Sequence, residues 1–312
     1  MRAFLFPGQG SQSVGMGAAL ADASQTARDV FGEVDEALGQ HLFKLMRGGP
    51  EDELKLTENA QPAIMAHALA VFRALTQEGG LSLDKAAHFV AGHSLGEYSA
   101  LAAARSFDLA TTARLLKLRG QAMQAAVPVG VGSMAALLGA DLVLAQKIAA
   151  AAAHGEVCTV ANDNDPSQVV LSGHKAAIDR AIEMAREMGA KRAVPLPVSA
   201  PFHCPLMQPP ADAMPEAQGI TEIAAPAVPL YAKVTAQPVA DPATIRDQLV
   251  EQVTGMVRWR QSIANMAAAG AEEFVALGGK ALVPMVKRIA PEAKVTSVVT
   301  IEDIEAIPRE LA

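Results

Sequence analysis

The chain of 312 residues is 51% apolar yet only 4% aromatic, and it carries a formal net charge of -7. Its length admits one large core or a main domain with a smaller companion, and Ala, Val and Leu must fill the interior, as suits helices packed on a sheet. The acidic balance argues against a nucleic-acid partner, and two cysteines, Cys158 and Cys204, make neither a disulfide framework nor a zinc site, so a reducing cytoplasm is the expected location. The longest apolar stretch, 134–153, is broken by Asp141, Gln146 and Lys147, and no membrane span is expected. Too few apolar residues precede Pro7 for a secretory signal.

In chain order, Phe4-Leu5-Phe6 reads as a short strand that empties into a loop carrying Gly8, Gly10, Gly15 and Gly17. Such a loop can present backbone N–H groups to an anion, but neither phosphate fingerprint fits: no Lys-Ser/Thr pair follows, and the glycines are not spaced G-x-G-x-x-G. Residues 17–127 read mainly as helices, one over about 59–77 and a long amphipathic one over about 108–126, with a strand at 88–91 between them. PVGVG (128–132) then has the composition of a hinge. A strand at 133–139, an Ala-rich helix at 141–153, strands at 156–162 and 168–173 around the turn NDNDPS, a helix at 175–189 and a strand at 192–199 follow. That β-α-β-β-α-β order is the ferredoxin-like pattern, expected as a small domain (128–198) inserted into a main α/β domain built from 1–127 and 199–312. Residues 228–234, helices at about 242–254 and 259–269, and EEFVALGG (272–279) continue the main domain. With no tail or heptad repeat, a monomer is expected.

Gly92-His93-Ser94-Leu95-Gly96 is G-x-S-x-G, preceded by the strand Phe89-Val90-Ala91 and followed by a helical run. That is the setting of a nucleophile elbow, in which the turn lifts the serine hydroxyl above the sheet and the helix aims its N-terminal dipole at the site. Ser94 needs a base to be a nucleophile at neutral pH. His93 is adjacent in the elbow, where neighbouring side chains diverge; His41, His67, His88, His154 and His174 fall in helices or polar turns. His203 differs, because Pro201 and Pro205 restrict the backbone on both sides of it amid apolar residues. It is the candidate general base, with a packed core histidine as the other reading. Cys204 beside it is read as a buried thiol and not as a nucleophile. The oxyanion of an acyl transfer needs two N–H donors. Leu95, the residue after the elbow serine, supplies one, and the glycine loop, with Gln9 at its crest, is placed to supply the second.

The segments FPGQGSQ, GHSLGEYSAL, LKLRGQAM, ANDNDPSQVVLSG, SAPFHCPLM and EQVTGMVRW, in this order over nearly the whole chain, resemble the malonyl-CoA:acyl-carrier-protein transacylase family of fatty-acid synthesis. The resemblance implies an α/β-hydrolase-like main domain with a ferredoxin-like insert and a ping-pong acyltransferase. Ser94 takes malonyl from malonyl-CoA as an ester and passes it to the phosphopantetheine thiol of holo acyl carrier protein, with no cofactor and no metal. His203 matches the family's base, and the N–H groups of Gln9 and Leu95 its oxyanion hole. Arg119, read from spacing alone as a solvated helix residue, matches its carboxylate clamp. Gln252 matches a glutamine whose main-chain carbonyl orients the histidine in place of a third triad acid. Phe202 matches the residue that in malonyl-preferring relatives crowds an α-methyl branch, although plain core packing would also explain it. Cys204 and Lys233 depart from the Ser and Asn of many relatives, at positions without a catalytic role in this reading. Because carrier proteins are acidic, Lys191, Arg192, Lys287, Arg288, Lys117 and Arg114 are candidates for docking.

Three alternatives remain at the level of sequence. A hydrolase or thioesterase would need an acid between Ser94 and His203, and Asp163 or Asp165 lies there. A related acyltransferase of malonate decarboxylase or of a polyketide assembly line would differ only in its carrier. A scaffold without activity would keep the fold alone.

Overall fold

The computed structural model describes residues 1–198, 200–219 and 221–307; Ser199, where the main domain is expected to resume, and residues 308–312 lie outside them. Among the described residues ten strands are β1 (Arg2–Phe6), β2 (Phe89–Gly92), β3 (Gly132–Leu138), β4 (Cys158–Asp165), β5 (Gln168–His174), β6 (Arg192–Pro195), β7 (Leu230–Ala232), β8 (Gln237–Val239), β9 (Glu273–Leu277) and β10 (Lys294–Val298). They form two sheets, one six-stranded in the order β10-β9-β1-β2-β7-β8 and one four-stranded in the order β4-β5-β3-β6.

β1 explains the first sheet. It pairs in parallel with β2 and β9, and it is buried on both faces, which is why it reads as a continuous apolar run. Phe4 and Phe6 pack toward the helix Thr57–Gln77, while Ala3 and Leu5 join Trp259, Ile263 and Met266 of the helix Trp259–Ala268. Each fully buried phenylalanine contributes about 1.5–3 kcal/mol relative to exposure. Parallel pairing sends the ends of β1 and β2 to the same edge, and both opening motifs meet there. At the far side β7 and β8 make an antiparallel hairpin.

In the second sheet β3 pairs antiparallel with β5 and β6, and β5 with β4. Ala135 and Leu137 of β3 face the helices Leu142–Ala153 and Lys175–Ala185, whereas Met134 and Ala136 join the main core. Asp141 caps the first of these helices by accepting from Leu144 N–H. NDNDPS does not form the expected turn: β4 runs on to Asp165 and leaves only residues 166–167 for it. Main-domain partners account for the difference. Asp163 N–H donates to Val257 O at 2.9 Å, and the buried carboxylates of Asp163 and Asp165 pair with Arg260 and Arg288 at 2.8 and 2.7 Å. They pin the small sheet to the main one and are far from acting as a triad acid.

The helix Thr57–Gln77 is buried along most of its length and carries His67, 5% exposed, whose Nδ1 has no hydrogen-bond partner among the described residues. Burial lowers its pKa to about 4. A lowered folded-state value means that the unfolded chain binds this proton first, so its stabilisation is complete above pH 6.5 and is lost as pH falls toward 4. The loss approaches about 3 kcal/mol for such a shift. We expect His67→Gln to flatten the dependence of melting temperature on pH between about 6.5 and 4; a slope identical to that of the parent protein would contradict this.

Candidate active site

β2 ends at Gly92 and the helix Gly96–Ala103 begins four residues later, so Ser94 occupies a turn with φ 55°. The two glycines are required by close approach. A Cβ on Gly92 would lie 1.8 Å from the carbonyl carbon of Gly96, and one on Gly96 would lie 2.3 Å from Phe6 O at the end of β1. Such contacts with fixed backbone cannot relax. His93 N–H donates to the same Phe6 O at 3.0 Å and ties the elbow to the opening strand.

His203 also lies in the left-handed region, at φ 57°, in the loop before the short 3₁₀ turn Pro205–Met207. Its Nε2 is 2.8 Å from Ser94 Oγ and its Nδ1 is 3.1 Å from the main-chain oxygen of Gln252, on the buried face of the helix Pro242–Thr254. The ring is thereby held between serine and carbonyl. Burial, then the neighbouring Lys233 and Arg119 charges, hold the imidazole well below its usual pKa, against the Gln252 hydrogen bond.

Arg119 reaches the site from the helix Leu109–Ala125 and is 1% exposed. Gly120 makes this possible, since a Cβ there would lie 2.6 Å from Glu58 Cα. Among the described residues the guanidinium donates only to neutral oxygens: Gln61 Oε1 at 2.7 Å, Gln252 Oε1 at 2.8 Å and Ser94 Oγ at 3.4 Å. Its Nε has no partner among the described residues. Tyr98 lies 5.9 Å beneath it, and Glu97 acts from behind, with Oε2 accepting from Gln252 Nε2 at 2.5 Å. Burial pushes the Glu97 carboxyl up to about 7 despite Lys233 and Arg119 nearby. A guanidinium this deep, donating only to neutral oxygens, is suited to pair with an anion.

A cavity of about 290 Å³ opens onto these groups and is also lined by Gln9, Leu95 and Phe202. Among the described residues the N–H groups of Gln9 and Leu95 donate to no other atom, while the Gln9 side chain is held by Thr57 Oγ1 at 3.0 Å. The glycine loop thus shares the cavity with Ser94 and carries a donor that no described residue uses. Gln9, Ser94, Leu95, Arg119, Phe202 and His203 line this one cavity, and Gln252 touches Arg119 and His203 from behind it.

The remaining candidates go elsewhere. His93 turns from Ser94 to Asn164 Oδ1 at 2.9 Å, and its pKa falls to about 4 on burial. Cys204 is fully buried against Pro201 O. Lys117 is engaged by Asn59 and Glu58, and Arg288 by Asp165. Sequence reasoning missed Gln61, Glu97 and Lys233. A carboxylate in the first turn of the elbow helix was a usable signal for Glu97, whereas nothing in the local pattern marks Gln61.

Beside this arrangement of an elbow serine, a histidine held by a backbone carbonyl and a buried guanidinium, the family model described as acyl transferase domain matches residues 3–302. The malonyl CoA-acyl carrier protein transacylase of Escherichia coli (strain K12) is 44% identical over 288 residues, 92% of each chain. Among solved structures, the acyl-carrier-protein-S-malonyltransferase from Bartonella henselae is 50% identical with a TM-score of 0.97 over 99% of both chains. A malonyl-transacylase solved in complex with its type II PKS acyl-carrier protein is 37% identical, with a TM-score of 0.94 over 97% of both. The chain belongs to the malonyl-CoA:acyl-carrier-protein transacylase family.

Proposed function

We propose that the protein transfers the malonyl group of malonyl-CoA to the phosphopantetheine thiol of holo acyl carrier protein, as a step of fatty-acid synthesis in the cytoplasm. The observation that carries this reading is Arg119: a buried guanidinium with neutral partners, 3.4 Å from Ser94 Oγ. A carboxylate two bonds from a thioester carbonyl can pair with this guanidinium while the carbonyl carbon meets Ser94 Oγ, and its fork-to-fork pairing with arginine offsets a desolvation cost of several kcal/mol.

In the first half-reaction His203 Nε2 takes the Ser94 proton as Oγ attacks the thioester carbonyl. The N–H groups of Gln9 and Leu95 stabilise the oxyanion, and Gln252 O stabilises the imidazolium through Nδ1–H. The tetrahedral intermediate collapses, the proton passes from His203 to the departing CoA sulfur, and malonyl-Ser94 remains. The second half-reaction reverses the sequence, with His203 deprotonating the carrier thiol. Phe202 narrows the cavity where an α-methyl branch would lie.

The main sheet with its elbow after β2 supports an α/β-hydrolase-like domain (1–127 and 199–312), and the order β4-β5-β3-β6 supports a ferredoxin-like insert (128–198). Among the described residues no helix is long and apolar enough to cross a membrane. We read the working unit as a monomer, docking its acidic carrier near the exposed Arg114, Arg192 and Lys287.

With malonyl-CoA and holo carrier protein, malonyl-carrier is expected to form in step with free CoA. Accumulation of free malonate instead would support a hydrolase.

A further inference from the structure

Lys233 follows β7, and its backbone N–H is held by Glu97 Oε1 at 2.7 Å. Its side chain is buried, 1% exposed, beside the histidine. Nζ lies 3.0 Å from His203 Nδ1 and 2.9 Å from Gln252 O, which are themselves 3.1 Å apart. Three polar atoms close a triangle in which only the carbonyl oxygen is an obligatory acceptor.

The charge on the amine then decides the ring's tautomer. An ammonium group has donors and no acceptor. It would donate into Nδ1, leave the ring proton on Nε2 and so point a donor at Ser94, where an acceptor is needed. It would also repel the imidazolium that forms during catalysis. A neutral amine reverses both effects, because its lone pair shares Nδ1–H with Gln252 O while one of its own N–H groups donates to that carbonyl. The surroundings favour the neutral form: burial first, then Arg119, hold Lys233 well below the usual lysine range, against Glu97 and Glu251. His203 and His93 are the other titratable neighbours.

We propose that Lys233 is a positioning residue for the general base, sharing the His203 Nδ1–H hydrogen bond with Gln252 O as a neutral amine and holding the tautomer whose Nε2 takes the Ser94 proton. The inference rests on the reading of Ser94 and His203 as nucleophile and base.

The test compares the parent protein with Lys233→Gln, Lys233→Met and Lys233→Arg by single-turnover malonylation of Ser94 across pH, and by ¹⁵N NMR of His203 in substrate-free protein. The parent shows the Nδ1–H tautomer. Lys233→Gln, whose amide keeps one acceptor and donors, stays within about tenfold of it. Lys233→Arg loses roughly 10²-fold or more in acylation rate, since a wrong tautomer costs on the order of 10⁴ in a serine triad, whereas Lys233→Met, which leaves Gln252 O as an acceptor for Nδ1–H, loses less. Lys233→Arg also moves the ring proton to Nε2. The proposal is overturned if folded Lys233→Arg keeps the parent's acylation rate and Nδ1–H signal, or if Lys233→Gln loses as much as Lys233→Arg. Should Lys233→Met fail to fold, the Gln and Arg variants decide by the same criteria. A parent protein that shows the Nδ1–H tautomer, loses it in Lys233→Arg, and is not malonylated would sink the transfer reading while upholding the tautomer assignment.

Discussion

Arg119→Ala is expected to lower kcat/KM for malonyl-CoA by roughly 10²–10⁴-fold while leaving acetyl transfer to Ser94 unchanged or faster. In the parent protein the malonyl carboxylate finds a guanidinium already buried and already positioned by Gln61 and Gln252. Removing it strands the carboxylate in a cavity of about 290 Å³. Breaking one side of a buried charge pair costs about 3–5 kcal/mol, which sets the factor. Acetyl-CoA has no carboxylate and leaves the guanidinium unpaired in the parent, so it gains nothing from Arg119. Arg119→Lys should not restore the malonyl rate, because an ammonium cannot reproduce the two-pronged contact. The ratio of malonyl to acetyl loading, measured by competition, checks this. A ratio that survives Arg119→Ala would remove the carboxylate clamp from the mechanism.

His203→Ala should slow acylation by roughly 10²–10⁴-fold, the usual range for a positioned base. The reach of Nε2 to Ser94 Oγ, 2.8 Å, leaves no room for an intervening water to serve as well. The pH profile carries a second expectation. A base works only when neutral, and burial with Lys233 and Arg119 holds His203 well below 6.5. The acylation rate should therefore stay level as pH falls through 6.5 and drop only at lower pH. Single-turnover rates at a series of pH values decide it; an acidic limb centred at or above 6.5 would mean that the base is not this buried ring.

That Ser94, His203, Gln9 and Leu95 would come together was legible in the sequence because local geometry dictates much of their placement. Gly92 and Gly96 are fixed by backbone contact, and His203 stands between prolines that set its loop. Arg119 and Gln252 were legible only through resemblance, since their roles depend on which helix faces the elbow, and helical spacing cannot say that. Lys233 was read only as a departure from the Asn of many relatives, at a position without a catalytic role, because nothing in its local pattern tells what its side chain meets. Only the fold shows that β7 neighbours β2 and carries it to His203. Asp163 and Asp165 were misread for a related reason. A run of Asn, Asp and Pro favours a turn, yet Arg260 and Arg288 from the main domain pair with the two carboxylates and the strand continues. The strands β8 and β10 gave no usable pattern. One is three residues long and contains Pro238; the other, KVTSV, is half exposed at the sheet's edge and borders on no run of apolar residues.

Intact mass after brief incubation with malonyl-CoA is the most direct test, with acetyl-CoA and the Ser94→Ala variant run in parallel. The account predicts a single malonyl adduct that maps to Ser94, is absent from Ser94→Ala, is far weaker with acetyl-CoA, and is discharged by holo acyl carrier protein. An adduct that persists in Ser94→Ala, or a protein that forms none while its fold is intact, would contradict it.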